Sequence, residues 1–352
     1  MDRRLIIIAS TKFKGGAELY IARLAESMSA SGVNVRLGGN LNTWPVGLPN
    51  DKLRLGPKWG IKRLFEGLLR APFEVFVVRR YLSANHGATI NLHFKREQIL
   101  FSKIAASYGR VVWTEHGTYP KGPFGRLISS FYKRASRYAD EIVCVSDFVR
   151  RSIAPQVDCV NKLSIIESAI DVEQYFPATK RPLHCPPVAV VVGRLEPTKR
   201  PWLAIKAASD AGCAVLVAGT GRLSKRLTQE FSHDNRVQFL DQVDDVAVLF
   251  RTADVHIFCS NGIGEGFPTV LLEAAASGTP TVATNDCGFE KSVMEAGGVV
   301  AEATIASLAL AIAGSLKEAS EKSRQARQWA LKRNMSNWSE SYRESFFPTD
   351  VN

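Results

Sequence analysis

The sequence has 352 residues and a mass of 38.7 kDa, with 45% hydrophobic and 22% charged side chains. This composition is typical of a globular protein with room for two domains, and it excludes disorder, a collagen-like repeat and a coiled coil. The net charge is +11, and residues 1–180 carry 27 basic against 15 acidic side chains, so the positive excess lies in the first half. Such a basic half favours an anionic partner: a membrane surface, a nucleic acid or a phosphorylated substrate.

Cysteine usage and hydropathy indicate the cellular compartment. The six cysteines are at least 15 residues apart and form no CxxC pair, so neither zinc binding nor a disulfide framework is expected. Most of them lie in apolar runs, where we expect buried thiols. The apolar stretch near the start is too short for a signal peptide, and no run reaches the roughly 18 apolar residues of a membrane span. These features predict a cytoplasmic protein.

Short apolar segments predict ten β-strands along the chain. They lie at residues 5–9, 33–37, 89–92, 111–114, 141–145, 188–192, 214–218, 237–240, 255–259 and 280–283. Runs this short and this apolar are typical of parallel strands buried on both faces. Because helical patterns lie between them, the alternation predicts an α/β protein with doubly wound sheets.

A proline-rich segment divides this pattern into two halves. Residues 175–187 hold four of the 16 prolines, and the alternation of strands and helices starts afresh after them. We therefore predict two α/β domains, at residues 1–177 and 178–335. Ligands of open α/β sheets bind beyond the carboxyl ends of the strands, so two such domains facing each other would form a site in the cleft.

The segment 264–280 contains two glutamates eight residues apart, Glu265 and Glu273. Pro268 presets a turn, and a helix is predicted to begin at Thr269 and to end at Gly278. The free amides at the start of such a helix favour a phosphate. Two carboxylates beside them suit a diphosphate between polyhydroxylated groups, as in a nucleotide sugar. Alternatively, Glu265 is a solvated loop residue and Glu273 an ordinary helix glutamate.

A second motif follows the predicted strand 188–192 and includes Gly193, Arg194 and Lys199. Its two cations emerge at the carboxyl end of the strand, where a ligand would bind. A forked guanidinium and a compact ammonium are complementary groups for a diphosphate. The alternative is ordinary surface charge on a βα loop.

Three weaker motifs also follow predicted strands. Gly15 and Gly16 open the first helix, where adjacent glycines let the backbone approach a ligand closely. His116 either contacts a substrate hydroxyl or is a structural histidine, whereas the position of His93 favours a structural role. Gly219 either lets a base or ribose approach the backbone or belongs to a plain βα turn.

Together these motifs resemble the retaining glycosyltransferases of family 4. The resemblance rests on Gly15-Gly16, His116-Gly117, Gly193-Arg194 with Lys199, and Glu265 with Glu273, whose order and separations match along nearly the whole chain. It implies the GT-B fold, with two Rossmann-like domains facing across a cleft. It further implies a nucleotide-sugar donor held mainly by the second domain, no metal requirement, and a C-terminal helix at 336–352 that returns to the first domain.

The resemblance also implies a role for each matching residue. Arg194 and Lys199 would hold the donor diphosphate and stabilise its departure, and His116 would contact the transferred sugar. Glu265 would bind a hydroxyl of that sugar, and Glu273 the ribose hydroxyls. The catalytic set is therefore His116, Arg194, Lys199 and Glu265. The remaining donor-binding positions are glycines and backbone amides, at Gly15, Gly16, Gly193, Gly219, Gly266, Phe267, Thr269 and Val270.

Three positions depart from the family pattern. Ser168 begins a Ser-Ala-Ile-Asp segment where the family commonly has Asn-Gly-Val/Ile-Asp, and Arg200 stands where glycine is common. The interval from Ser260 to Glu265 is longer than usual. The surroundings of the donor sugar therefore differ from the family pattern, and the resemblance does not specify the sugar.

One basic segment bears on the acceptor. Residues 52–82 hold eight basic and two acidic side chains, interleaved with Trp59, Phe65, Leu68, Leu69 and Phe73. Basic amphipathic stretches of this kind lie in membrane interfaces, and Lys58, Lys62 and Arg63 are the charges expected to contact anionic lipid. The alternative is a helix packed on the first domain with its charges in solvent. No RNA- or DNA-binding module is present, so no nucleic-acid partner is expected.

The sequence thus predicts a retaining, metal-independent glycosyltransferase at the inner face of the cytoplasmic membrane. It would move a sugar from a UDP- or GDP-sugar to a lipid-linked or polysaccharide acceptor. The alternatives are a nucleotide-sugar epimerase or hydrolase of the same fold, and a non-catalytic protein that binds nucleotide sugars or membrane surfaces.

Overall fold

The structure is a computed structural model that describes residues 3–11, 15–56, 64–178 and 185–348. It divides into two compact units, one made of Met1–Ser168 with Ser336–Asn352 and the other of Ala169–Met335. The predicted boundary at residue 177 lies slightly further along the chain. Segment 169–177 groups with the second unit because Ile170 N donates to Arg333 O (3.0 Å) and Arg327 Nη1 donates to Tyr175 O (2.7 Å).

The first unit alternates strands and helices. Its elements are β1 (Arg4–Ile8), β2 (Ser10–Thr11), α1 (Gly16–Ala30), β3 (Asn34–Leu37), β4 (Asn40–Leu41), α2 (Leu64–Ser83), β5 (Thr89–Leu92), α3 (Lys95–Ala105), β6 (Val111–Glu115), α4 (Pro123–Ser136), β7 (Glu141–Cys144), α5 (Asp147–Ile153) and β8 (Leu163–Ile165). Six strands form a parallel sheet in the order β3-β1-β5-β6-β7-β8, and β2 pairs with β4. Leu5, Ile7 and Ile8 of β1 are fully buried, as expected of a parallel strand covered on both faces.

The second unit repeats the architecture. Its elements are β9 (Val188–Val192), α6 (Pro201–Asp210), β10 (Ala214–Ala218), α7 (Ser224–Glu230), β11 (Val237–Phe239), α8 (Val246–Thr252), β12 (Val255–Phe258), α9 (Thr269–Ala276), β13 (Thr281–Thr284), α10 (Glu290–Glu295), β14 (Val299–Ala301), α11 (Ile305–Lys317) and α12 (Ala319–Leu331). Its six parallel strands follow the order β11-β10-β9-β12-β13-β14. This is the order of a doubly wound nucleotide-binding sheet.

The last helix, α13 (Met335–Phe346), completes the first unit. Trp338, Tyr342 and Phe346 lie on its buried face, at the spacing of one helical stripe. Two hydrogen bonds anchor its end to the first sheet, because Thr89 Oγ1 donates to Phe346 O (2.9 Å) and Arg110 Nε donates to Ser345 O (3.0 Å).

The predicted α/β class with two doubly wound sheets is confirmed. Each of the ten predicted strands corresponds to an observed one, whereas the short strands β2, β4, β8 and β14 were not predicted. Each of these four strands is only two or three residues long, shorter than the apolar runs of four or five residues from which strands were predicted. Of the cysteines, Cys159 and Cys185 are accessible, and the other four are buried.

The described part of the basic segment 52–82 consists of residues 52–56 and helix α2. Lys58, Trp59, Lys62 and Arg63 lie outside the described residues. Within 3–11, 15–56, 64–178 and 185–348, no helix is long and apolar enough to span a membrane. In the same ranges, no cluster of three His, Cys, Asp or Glu side chains could hold a metal ion.

Candidate active site

In the second sheet the strand order reverses between β9 and β12, and the loops that follow these two strands meet there. Ligands of doubly wound sheets bind at such a reversal. Arg194 and Lys199 lie on the loop after β9, and Glu265 lies on the loop after β12. A backbone hydrogen bond from Asn261 N to Thr198 O (3.0 Å) joins the two loops.

Lys199 and Glu265 form an ion pair at this edge of the sheet. Lys199 Nζ donates to Glu265 Oε1, which also accepts a hydrogen bond from Ser260 Oγ (2.6 Å). Glu265 is only 5% exposed, so the cation and the hydroxyl compensate the cost of burying its charge. Lys199 and Glu265 thus lie side by side, and their predicted roles toward a phosphate and a sugar hydroxyl stay predictions.

Helix α9 begins at Thr269, as predicted. Leu271 N donates to Pro268 O (3.0 Å), so the amides of Thr269 and Val270 precede the first hydrogen bond of the helix. Glu273 is half-buried on this helix. Gly278 follows the helix with φ +68°, a left-handed conformation that favours glycine at a helix end. The predicted helix start is confirmed, and anion binding by its amides stays a prediction.

The predicted glycines of the second unit have structural reasons as well as possible ligand roles. A Cβ atom on Gly219 would lie 2.0 Å from Gly193 O, so packing requires glycine at 219, and the positive φ angles of both residues favour glycine at 193 as well. Arg194, which follows Gly193 on the loop after β9, is exposed. Phe267 packs edge-on against Phe289 with 5.8 Å between ring centroids, and it precedes α9, with Gly266 half-buried beside it.

The first sheet reverses its order between β1 and β5. Gly15 caps the helix α1 that follows the first strands, and Gly16 is its first residue. A Cβ on Gly16 would meet no described atom within 4 Å, so packing within the described residues does not require glycine there. This position leaves room for close approach of a ligand to the backbone.

His93 and His116 form a stacked pair at the ends of β5 and β6. Their rings are 16° from parallel, and His93 Nδ1 lies 2.7 Å from His116 Nε2, within hydrogen-bonding distance. His93 is fully buried and His116 half-exposed. Phe94 follows with φ +31°, a strained angle of the kind found at functional sites. The structural role favoured for His93 thus includes direct support of His116.

A cavity of about 220 Å³ adjoins His116 in the first unit. Its lining includes Phe94, Lys95, Glu115 and Thr118. Lys95 pairs with Glu115, which also accepts a hydrogen bond from Tyr132 Oη (2.6 Å). The cavity therefore combines an aromatic wall with neutralised charge, a surface suited to a polyhydroxylated ligand.

Helix α13 supports this histidine through Tyr20, which the sequence did not single out. The Tyr20 ring packs edge-on against His116, with 5.0 Å between ring centroids. Its hydroxyl lies 2.7 Å from Tyr342 Oη and accepts a hydrogen bond from Trp338 Nε1 (3.2 Å). Burial raises the pKa of the Tyr20 hydroxyl, so this residue stays neutral. The only sequence signal for this contact was the aromatic spacing of α13.

The first unit also contains a buried network of charged side chains, which the sequence did not predict. Arg96 donates to Glu74 Oε2 (2.9 Å) and to Glu97 Oε1 (3.0 Å). Glu97 in turn accepts a hydrogen bond from Ser10 N (3.1 Å), and Glu74 accepts one from Gly56 N (2.7 Å). Burial raises the pKa of Glu97. The network joins α2 and α3 to the chain that follows β1.

Comparison with known proteins agrees with this architecture. The family model described as Glycosyltransferase Family 4 matches residues 14–174, and the one described as Glycosyl transferases group 1 matches residues 177–333. A D-inositol 3-phosphate glycosyltransferase of Corynebacterium glutamicum is 32% identical over 162 residues, which cover 38% of this chain and 38% of that relative's length.

Two solved structures share the fold over nearly the full chain. A glycosyltransferase from Rickettsia africae has a TM-score of 0.77 at 17% identity, covering 99% of this chain and 100% of that one. Anabaena HepE in complex with UDP has a TM-score of 0.79 at 18% identity, covering 97% and 99%.

The two parallel, doubly wound units therefore have the GT-B fold of these solved structures. The chain belongs to glycosyltransferase family 4.

Replacing Glu265 or Arg194 by Ala should lower kcat/KM for glycosyl transfer about 100-fold or more, the effect of removing a preorganised electrostatic group. Glu230→Ala, on the surface of α7, is the matched control and should leave transfer unchanged. Melting temperatures check that each variant folds. If Glu265→Ala does not fold, Glu265→Gln takes its place, because glutamine keeps the size and shape of the side chain. Near-normal transfer by folded Glu265 and Arg194 variants would contradict the site.

Proposed function

We propose that the protein is a retaining, metal-independent glycosyltransferase that works at the inner face of the cytoplasmic membrane. It moves a sugar from a UDP- or GDP-sugar to a lipid-linked or polysaccharide acceptor in the synthesis of cell-envelope glycans. The observation that carries this proposal is the meeting of Lys199, Glu265 and the start of α9 at the reversal of the second sheet.

The diphosphate of the donor is the group that this edge suits best. Glycosyl transfer builds negative charge on the departing nucleotide diphosphate, and preorganised donors stabilise that charge in the transition state. Arg194, Lys199 and the amides of Thr269 and Val270 supply two cations and two N–H groups. These groups provide the charge that a metal ion supplies elsewhere. Because HepE of the same fold is in complex with UDP, uridine diphosphate is the first nucleotide to test.

The retaining step that we propose is a front-face substitution, which needs no nucleophile from the protein. Glu265 Oε1 is engaged by Lys199 and Ser260, which assigns this carboxylate to binding rather than to nucleophilic attack. In the proposed step, the bond from the anomeric carbon to the phosphate oxygen breaks. The acceptor oxygen bonds to the same face of that carbon, and the acceptor proton passes to the departing phosphate. The predicted contact of His116 with the transferred sugar is part of this proposal.

The acceptor has two candidate classes. The exposed surface of the first unit favours a lipid-linked or membrane-proximal glycan. A soluble inositol phosphate is the second candidate, because the C. glutamicum relative is named for that acceptor. A donor epimerase or hydrolase, and a protein that only binds nucleotide sugars, would need neither acceptor.

A radiolabelled panel of UDP- and GDP-sugars, with a membrane lipid extract or inositol phosphate as acceptor, tests this function. We expect label to enter an acceptor with the anomeric configuration retained, and at an unchanged rate in excess EDTA, because side chains and amides hold the diphosphate. Inversion would contradict the mechanism, and an absolute need for a divalent metal would contradict its metal independence. Donor turnover without an acceptor product would favour the epimerase or hydrolase.

Helix α2 carries the described part of the proposed membrane surface. Leu69, Phe73 and Phe76 lie on one face and are 70%, 54% and 62% exposed, and Arg79 and Arg80 are exposed beside them. The opposite face is anchored in the unit by buried side chains, among them Val78 and Leu82. The helix therefore packs on the first unit, and its outward face carries the exposed apolar and basic groups on which the proposed membrane contact depends.

Helix α4 has the same character, with Leu127 and Phe131 exposed and Lys133 and Arg134 in its last turn. Helix α3 contacts both α2 and α4. Exposed apolar groups interleaved with arginine and lysine suit the interface of an anionic bilayer.

The double variant Phe73→Ser/Phe76→Ser should weaken sedimentation with phosphatidylglycerol vesicles about tenfold or more, because two aromatic rings no longer enter the interface. Leu310→Ser is the matched control, since Leu310 is 76% exposed on the near-neutral second unit. Unchanged binding by the double variant, or an equal loss in the control, would contradict membrane docking through α2.

A further inference from the structure

Arg200 adopts a backbone conformation that is strained for its side chain. It has φ +47° and ψ +50°, in the left-handed region, between a short 3-10 helix at Pro197–Lys199 and helix α6. An L-residue with a Cβ atom rarely occupies this region, whereas glycine does so freely. The resemblance to family 4 leads us to expect glycine here, so the arginine needs a physical reason.

That reason lies in the contacts of the guanidinium group. Nε donates to Cys259 O (2.7 Å), and Nη2 donates to Ser260 O (3.1 Å) at the end of β12. Nη2 also donates to Thr284 Oγ1 (3.0 Å), and the fork binds both carboxylate oxygens of Asp286 beyond β13, with Nη1 2.9 Å from Oδ2. The side chain is 16% exposed. One residue thus joins the loop after β9 to the ends of two other strands.

These contacts close a ring around the candidate catalytic pair. Arg200 follows Lys199 directly and binds the carbonyl of Ser260. The hydroxyl of Ser260 donates to Glu265, which accepts from Lys199. Every link in the ring is a hydrogen bond or a peptide bond, so a displacement of Arg200 changes the spacing between the cation and the carboxylate.

We propose that Arg200 is a positioning residue, whose guanidinium holds Lys199 and Glu265 at the spacing that the donor requires. A glycine would relieve the backbone strain but could not make this anchor. The Arg200 hydrogen bonds also lower the pKa of Asp286, so the anchoring carboxylate stays charged. The inference rests on the proposed function, because its importance for catalysis presupposes glycosyl transfer.

Three variants test the role. Arg200→Gly relieves the backbone strain and removes the guanidinium contacts. Arg200→Lys keeps the positive charge but lacks the forked guanidinium, and Asp286→Asn removes the negative charge that the guanidinium binds. Arg236→Gly is the matched control, because Arg236 also binds an aspartate with a fork (Nε to Asp234 Oδ1 and Nη2 to Oδ2, 3.0 Å each) and a backbone carbonyl, at Ser209, away from the catalytic pair.

We expect Arg200→Gly to lower kcat about 10- to 100-fold, the scale on which misplaced catalytic groups act, with a smaller change in KM. Arg200→Lys should recover part of this loss and Asp286→Asn should cause part of it. Arg236→Gly should keep its kcat. Activity of Arg200→Gly within twofold of wild type, or a loss that follows melting temperature equally in both glycine variants, would overturn the proposal.

Amide hydrogen exchange of the ligand-free protein separates this inference from the proposed function. Arg200→Gly should speed exchange in residues 195–199 and 259–266, and Arg236→Gly should not. If wild type transfers no sugar but this pattern is found, the proposed function fails and the positioning contact stands. Unchanged exchange in those segments would overturn the positioning role whatever the activity.

Discussion

The reversal of strand order between β9 and β12 is the constraint on which the candidate site of the second unit depends. Parallel strands end at the same edge, and at a reversal the loops that follow two neighbouring strands turn in opposite directions and leave a crevice. In this chain the loop after β9 carries Lys199, and the loop after β12 carries Glu265 and leads into α9. Arg200 then fixes these loops to each other. The first unit has its own reversal, flanked by the histidine pair.

The two edges differ in how their charge is arranged. At the second unit, Lys199 is paired with the buried Glu265, whereas Arg194 on the same loop is exposed and the amides of Thr269 and Val270 precede the first hydrogen bond of α9. At the first unit, Lys95 is neutralised by Glu115 and the buried Arg96 by two glutamates, so the local charge is balanced around the cavity. The positive excess of this half lies instead in exposed side chains such as those of α2 and α4. This division suits a donor bound through phosphates and an acceptor bound through hydroxyls.

The fold was predictable because central parallel strands are short apolar runs that alternate with helices, and even the start of α9 followed from Pro268 and Thr269. The strands β2, β4, β8 and β14 were not predictable, since two or three residues form too short a run to show that pattern. The pairing of Lys199 with Glu265 joins residues 66 positions apart and depends on strand order, which local patterns do not encode. The same holds for His93 against His116, for Tyr20 against α13, and for the contacts of Arg200, which the sequence marked only as a departure from the family pattern.

The proposed function depends on one claim, that the carboxyl edge of β9 and β12 binds the diphosphate of a nucleotide sugar. A crystal structure of the protein with UDP tests it most directly. We expect the diphosphate to lie within hydrogen-bonding distance, about 3 Å, of Lys199, Arg194 and the amides of Thr269 and Val270. We expect the ribose to contact Glu273. A diphosphate bound elsewhere, or at this edge without contact to either cation, would contradict it.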